Sequence, residues 1–151
     1  YYNYKNTGRP TGAPGVFWSH YEDEKNSPLY PFGYGLSYTS FEYSNLQVKV
    51  VSGNKVNISV TLKNSGQKTG KEVVQLYIRD HFASVTRPVR ELKGFELVTL
   101  EPSESKEISF TLTEEELGFY DNDGQFIFEK GDFTIFVGGD SKANLQAQIT
   151  L

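Results

Sequence analysis

The residues able to carry chemistry are few, and their spacing completes no catalytic or metal-binding set. Asp121-Asn122-Asp123-Gly124 resembles part of a calcium loop. Such a loop needs a further oxygen ligand before its glycine and a glutamate at its twelfth position. Aligning Gly124 with the loop glycine puts Phe119 at the first ligand position, where no donor atom exists. A hairpin turn at Asp123-Gly124 explains the same residues. His20 and His81 stand far apart in loop-like contexts, and zinc requires three or four ligands. There is no cysteine, so thiolate ligands and disulfides are excluded.

Covalent catalysis finds no support either. No Gly-x-Ser-x-Gly elbow is present, and no serine has a recognisable base. Glycoside chemistry needs two carboxyl groups roughly 5–10 Å apart in a cleft. The acids here fall on turns and on strand faces expected to be solvated. The expectation is a chain with no catalytic residue, no cofactor and no metal. Asn57-Ile58-Ser59 is a formal glycosylation sequon whose asparagine points outward on a strand, and chance occurrence accounts for it.

Aromatic side chains are the remaining chemical signal. Ten Tyr, eleven Phe and one Trp make up 15% of the chain. Strand propensity and core filling account for most of them. Trp18, Tyr21, Tyr30 and Tyr34 are different, because they cluster in a stretch without periodicity. Such rings could stack on the C–H face of a sugar, or they could anchor the stretch onto a neighbouring domain. Anchoring is the preferred reading.

These residues must be held by two unlike regions. Residues 1–40 are rich in Gly, Pro, Asn and Tyr and show neither helical nor alternating order. They form an irregular arm that needs a surface to lie on. From Phe41 onward the period is two. Val56, Ile58, Val60 and Leu62 alternate with Asn57, Ser59, Thr61 and Lys63. The same pattern marks Val74–Ile78, Ile108–Leu112, Phe133–Val137 and Leu145–Leu151, each with one buried and one wet face. Weaker strands fit Tyr43–Val51, Glu91–Leu100 and Gln125–Glu129. Gly94 suggests a bulge. Thr113 could cap a short helix over Glu114–Leu117, with Glu116 as the capping-box partner. Seven or eight short strands predict an all-β protein: an immunoglobulin-like or fibronectin type III-like antiparallel β-sandwich over residues 41–151.

Bulk properties narrow the partners. A chain of 151 residues suits one domain plus a tail. A net charge of -4 with no basic stripe argues against nucleic acid. The acidic runs Glu22-Asp23-Glu24 and Glu114-Glu115-Glu116 read as solvated faces. No apolar run is long enough to span a membrane as a helix. The sequence has no methionine, from which we expect a chain cut from a longer exported protein.

Several ordered motifs carry a family resemblance over nearly the whole chain. Pro28-Leu29-Tyr30-Pro31-Phe32-Gly33-Tyr34-Gly35-Leu36-Ser37-Tyr38-Thr39-Ser40-Phe41 closely resembles the linker entering the C-terminal fibronectin type III-like domain of glycoside hydrolase family 3 enzymes. Glu72–Asp80, Arg87–Glu96, Phe119-Tyr120-Asp121 and Phe136-Val137-Gly138-Gly139 resemble later elements of that domain, in order. Tyr1–Pro10 resembles the end of the preceding α/β sandwich domain of periplasmic β-glucosidases. Two positions depart from the pattern: Ser103 stands where Gly is usual, and Ser65 where Thr is usual. The resemblance implies a parent that cleaves β-glucosidic bonds with retention, using an Asp nucleophile and a separate acid/base carboxylate. Neither motif matches any residue here. It further implies a non-catalytic module, the upstream catalytic domains of the same polypeptide as partners, and a periplasmic or secreted location. Oligo- or polysaccharide is the alternative partner.

Overall fold

The computed structural model describes residues 28–151. Nine strands and one short helix follow in order: β1 (Phe41–Val51), β2 (Lys55–Asn64), β3 (Gly70–Asp80), β4 (Glu91–Leu100), β5 (Ser105–Leu112), α1 (Glu114–Leu117), β6 (Phe119–Tyr120), β7 (Phe126–Ile127), β8 (Asp132–Gly138) and β9 (Leu145–Thr150). All pairings are antiparallel. One sheet has the order β1-β2-β5 and the other β4-β3-β8-β9, with β6-β7 as a separate hairpin. The fourth strand therefore joins β3, whereas in immunoglobulin constant domains it joins the opposite sheet. The result is the expected fibronectin type III-like sandwich.

The alternating residues explain why the sheets stack. Val56, Ile58, Val60 and Leu62 of β2 face Val74, Leu76 and Ile78 of β3 and Ile135 and Val137 of β8 in one buried cluster. Burying each such side chain contributes about 1.5–3 kcal/mol. Leu117 of α1 joins the cluster. Its helix is set by the predicted capping box: Thr113 accepts from the Glu115 amide while the Glu116 carboxylate accepts from the Thr113 amide.

Local irregularities fall where the chain chemistry allows them. The β3–β4 register jumps from Leu76↔Gly94 to Tyr77↔Leu92, so Lys93 is the extra residue of a bulge beside the expected glycine. A second bulge in β1, between Ser44 and Gln47, has Asn45 at φ 52°, a left-handed conformation that asparagine tolerates. Gly124 takes φ 76° in the β6–β7 hairpin. Ser103, the departure from the family pattern, takes φ 67° in the β4–β5 turn.

One expectation needs correction. The outward faces of β3 and β8 are not wet at their centres. Gln75 and Tyr77 on β3, and Thr134 and Phe136 on β8, are all buried. These two strands lie at the centre of the four-stranded sheet, and loops cover them from outside. By contrast, β2 keeps the expected alternation, with Asn57 and Lys63 exposed.

Candidate functional site: the arm and the sheet face beneath it

Three elements converge over the outer face of the central strands. Gln75 of β3 donates through Nε2 to the carbonyls of Gly33 (3.2 Å) and Gly139, and its Oε1 accepts from the Tyr77 hydroxyl. The Ser141 amide donates to the Phe32 carbonyl at 2.8 Å. Arg90 donates from Nη1 to the carbonyls of Ser141 (2.7 Å) and Ala143 (2.8 Å). Its guanidinium lies 3.8 Å from the centre of the Phe136 ring. Burial pulls the Arg90 pKa down, and the charge of Asp140 opposes that shift. The β8–β9 loop is thus fixed by Arg90 from one side, and the arm is fixed by Gln75 and Ser141 from the other.

Gly33 sits so close to Gln75 that a Cβ there would lie 2.0 Å from Oε1, and its φ is 81°. Only glycine fits both constraints. The arm then continues to Thr39, whose hydroxyl donates to Asn64 Oδ1 at 2.7 Å. Asn64 is fully buried. Its Nδ2 donates to the carbonyls of Lys68 and Leu100, and its Oδ1 also accepts from the Gly66 amide. This side chain ties the arm, the β2–β3 loop and the end of β4 together.

A second polar pair joins the two sheets nearby. The Tyr43 hydroxyl on β1 donates to Glu72 Oε1 on β3 at 2.7 Å. Burial raises the Tyr43 pKa, and Glu72 reinforces the rise by accepting the proton and by its charge. Burial also raises Glu72, against the hydrogen bond from Tyr43. Tyr43 therefore remains a donor throughout the neutral range.

The arm presents its side chains outward. Leu29, Tyr30, Leu36 and Tyr38 are 86%, 66%, 90% and 94% exposed. The Tyr30 and Tyr34 ring centroids lie 5.2 Å apart. Trp18, Tyr21 and His20 lie outside the described residues. His81 is exposed, and its Nε2 is 2.8 Å from the Thr134 hydroxyl. The Asp121 carboxylate is occupied by the amides of Asp123 and Gln125, which closes the hairpin turn. Among the described residues, no three His, Cys, Asp or Glu side chains are grouped to hold a metal ion, and no helix is long and apolar enough to cross a membrane.

The clamp at Gln75 and the tie at Asn64 were not read from the sequence. Gln75 looked like a solvent-facing position in an alternating strand, and Asn64 looked like a turn residue. The available signal was a glutamine inside the run Val73-Val74-Gln75-Leu76-Tyr77-Ile78, where every other residue is apolar or aromatic.

Comparison with known proteins agrees with this fold. Residues 72–141 match the family described as fibronectin type III-like domain. The periplasmic β-glucosidase of Salmonella typhimurium is 43% identical over all of this chain, which covers 20% of that protein. A β-glucosidase from Listeria innocua, solved in complex with glucose, superposes with a TM-score of 0.88 at 41% identity, covering 99% of this chain and 22% of that one. The GH3 β-glucosidase of Bifidobacterium adolescentis gives a TM-score of 0.77 at 35% identity, covering 81% and 18%. The chain spans about a fifth of the length of the curated relatives it matches. By fold and similarity, the chain carries a fibronectin type III-like domain and is similar to the segment of glycoside hydrolase family 3 β-glucosidases that holds it.

Proposed function

We propose that this chain is the accessory module of a retaining β-glucosidase and holds the catalytic domains of its own polypeptide in place. In this reading residues 1–40 are the arm leaving the preceding α/β domain, and residues 41–151 are the sandwich. The observation that carries the reading is the build of the arm. Its backbone is clamped at Gly33, while Leu29, Tyr30, Leu36 and Tyr38 stand in solvent. Clustered apolar exposure of this kind gains about 25 cal/mol per Å² once a partner covers it. The full-length protein would hydrolyse terminal β-glucosidic bonds, with its nucleophile and acid/base carboxylates on upstream domains. A periplasmic or secreted location is part of the proposal. It is supported by the name of the Salmonella relative.

Two measurements test the reading. The 151-residue chain should not hydrolyse an aryl β-glucoside above buffer rate. In the full-length enzyme, Leu36→Ser with Tyr38→Ser should lower the unfolding temperature and leave kcat of the folded enzyme unchanged. Turnover by the short chain that vanishes on mutating one of its own acids would sink the proposal.

A second reading is carbohydrate binding by the ring cluster, favoured by the adjacent, solvent-facing Tyr30 and Tyr34. It requires the fluorescence of Trp18, the sole tryptophan, to respond to added gluco-oligosaccharide and to lose that response in Tyr30→Ala. A flat titration to millimolar sugar removes this reading.

A further inference from the structure

The β6–β7 hairpin has one face turned inward and one turned outward. Phe119 is buried, and the Arg87 guanidinium lies 4.5 Å from the centre of its ring. Alternation sends the next cross-strand pair the other way. Tyr120 is 70% exposed and Phe126 48%, and the register places them directly opposite each other. Their ring centroids are 5.3 Å apart, edge to face. Gly118 clears the space for this packing. A Cβ there would lie 2.5 Å from Phe126 Cζ and 2.8 Å from the Glu114 carbonyl oxygen. Phe126 is therefore seated on backbone, and most of the Tyr120 ring beside it stays open to solvent.

The turn beside these rings is braced and leaves polar side chains spare. The Asp121 carboxylate accepts from the amides of Asp123 (2.9 Å) and Gln125 (2.8 Å), and the Gly124 amide donates to the Asp121 carbonyl (3.2 Å). Those bonds use backbone amides. The side chains of Asn122, Asp123 and Gln125 are exposed and join no hydrogen bond or ion pair among the described residues. Asn122 follows Tyr120 by two positions, at most about 7 Å along the chain, and Gln125 adjoins Phe126. Two neighbouring carboxylates are already engaged: Glu114 accepts from Asn54 Nδ2 at 2.7 Å, and Glu116 accepts from the Thr113 amide at 2.7 Å.

These groups select a class of ligand. Glu114, Glu115, Glu116, Asp121 and Asp123 disfavour an anion such as a phosphate or an acidic lipid surface. A cation needs acceptors alone, whereas two of the three spare side chains are primary amides, which also donate. Hydroxyl groups both donate and accept. In a β-linked glucosyl unit the hydroxyls are equatorial and the ring hydrogens axial, so each face is a C–H surface with a polar rim. An open aromatic ring bordered by amides matches that shape. We propose that Tyr120 and Phe126, with the side chains of Asn122 and Gln125, form a binding site for a neutral β-linked gluco-oligosaccharide. Tyr120 stacks on one sugar ring, and the amides bond its hydroxyls. The site is on a different element from the arm tyrosines, and it does not depend on the accessory-module reading.

The test is a titration of the isotope-labelled 151-residue chain with cellotetraose and with laminaritetraose, read from its backbone amide resonances. At least one sugar should shift the amides of residues 122–125 saturably at millimolar concentration. Added salt should not weaken the binding, because the ligand is neutral. Tyr120→Ala should weaken it by about tenfold. That side chain is mostly solvated, so the variant should unfold close to the parent. Asn122→Ala with Gln125→Ala should also weaken binding, and Tyr30→Ala should not. No shift with either sugar overturns the proposal. A response that Tyr30→Ala removes and Tyr120→Ala spares overturns it too, and puts the sugar on the arm. A response to trilysine but to neither sugar, lost at high salt, makes the hairpin a site for cationic peptide instead. A dimer in light scattering that Tyr120→Ala dissolves, with no sugar response, makes it a contact between copies of this chain.

Discussion

Tyr77 donates its phenolic hydrogen to Oε1 of Gln75, two residues earlier on the same outer face of β3, and both side chains are buried. The bond fixes which end of the Gln75 amide points where. With Oε1 taken by the phenol, Nε2 is directed at the Gly33 and Gly139 carbonyls. One side-chain pair thus locks the arm and the β8–β9 loop to the sheet. Gln75→Leu leaves two carbonyls short of a donor and should cost about 1–3 kcal/mol. Urea unfolding should show the loss, and limited proteolysis should cut sooner within residues 28–38. Tyr77→Phe should cost a similar amount, and unchanged arm protection in both variants would contradict the clamp.

Asn64 offers a sharper contrast. Its Nδ2 faces two carbonyl oxygens, and its Oδ1 accepts from Thr39 and Gly66. Asn64→Asp keeps the shape but turns two donors into an acceptor among acceptors. It should destabilise by about 3 kcal/mol or more at neutral pH, because a buried charge then lacks its partners. The loss should shrink in acid, where the carboxyl group can donate once. A variant as stable as the parent by chemical denaturation would refute this assignment.

Ser103 holds a left-handed backbone that costs a residue with a Cβ roughly 1–2 kcal/mol. Ser103→Gly relieves that strain and also adds freedom to the unfolded chain. The net expectation is a gain of about 0.5–1 kcal/mol, read as a higher urea midpoint without a change in slope. A fall in the midpoint would show that the turn is not strained.

Glu72 predicts a pH dependence. Its folded pKa is raised above the ordinary 4.5, by burial first, with the Tyr43 hydrogen bond acting in the opposite direction. The native state therefore holds this proton more tightly than the unfolded chain does. That contribution to stability is complete below 4.5 and is lost as pH rises through the raised folded value. Glu72→Gln keeps an acceptor for Tyr43 and removes the titration, so stability should flatten across that window. Denaturation midpoints of both proteins over the series give the answer. Parallel curves would mean that Glu72 is not the group responsible.

The capping box supplies a local control far from the arm. Thr113→Ala removes both the acceptor for the Glu115 amide and a donor to Glu116. It should cost about 1 kcal/mol. Proteolysis of residues 28–38 should not change. A faster cut there would mean the whole sandwich loosens at once, and the Gln75 result would lose its local meaning.

The sequence by itself determined the sandwich. Alternation over Val56–Leu62 and Ile108–Leu112 dictates which faces are buried, since a period of two puts every second side chain on one side. Turn and cap chemistry is equally local, so Asp123-Gly124 and Thr113…Glu116 were legible where they stand. The bulge at Lys93 was legible to within one residue through Gly94.

Tertiary structure alone decided that the second faces of β3, at Gln75 and Tyr77, and of β8, at Thr134 and Phe136, are also buried. Strand order is a long-range property: β3 and β8 become neighbours in the centre of a sheet only after more than fifty intervening residues have been placed. Nothing within a strand reports which loop will cross it. The same reason hid the roles of Gln75 and Asn64, whose partners lie up to 64 residues away in sequence. Hydrophobic pattern acts along the chain and can be read there, whereas a buried polar side chain is satisfied by groups that only folding brings within reach.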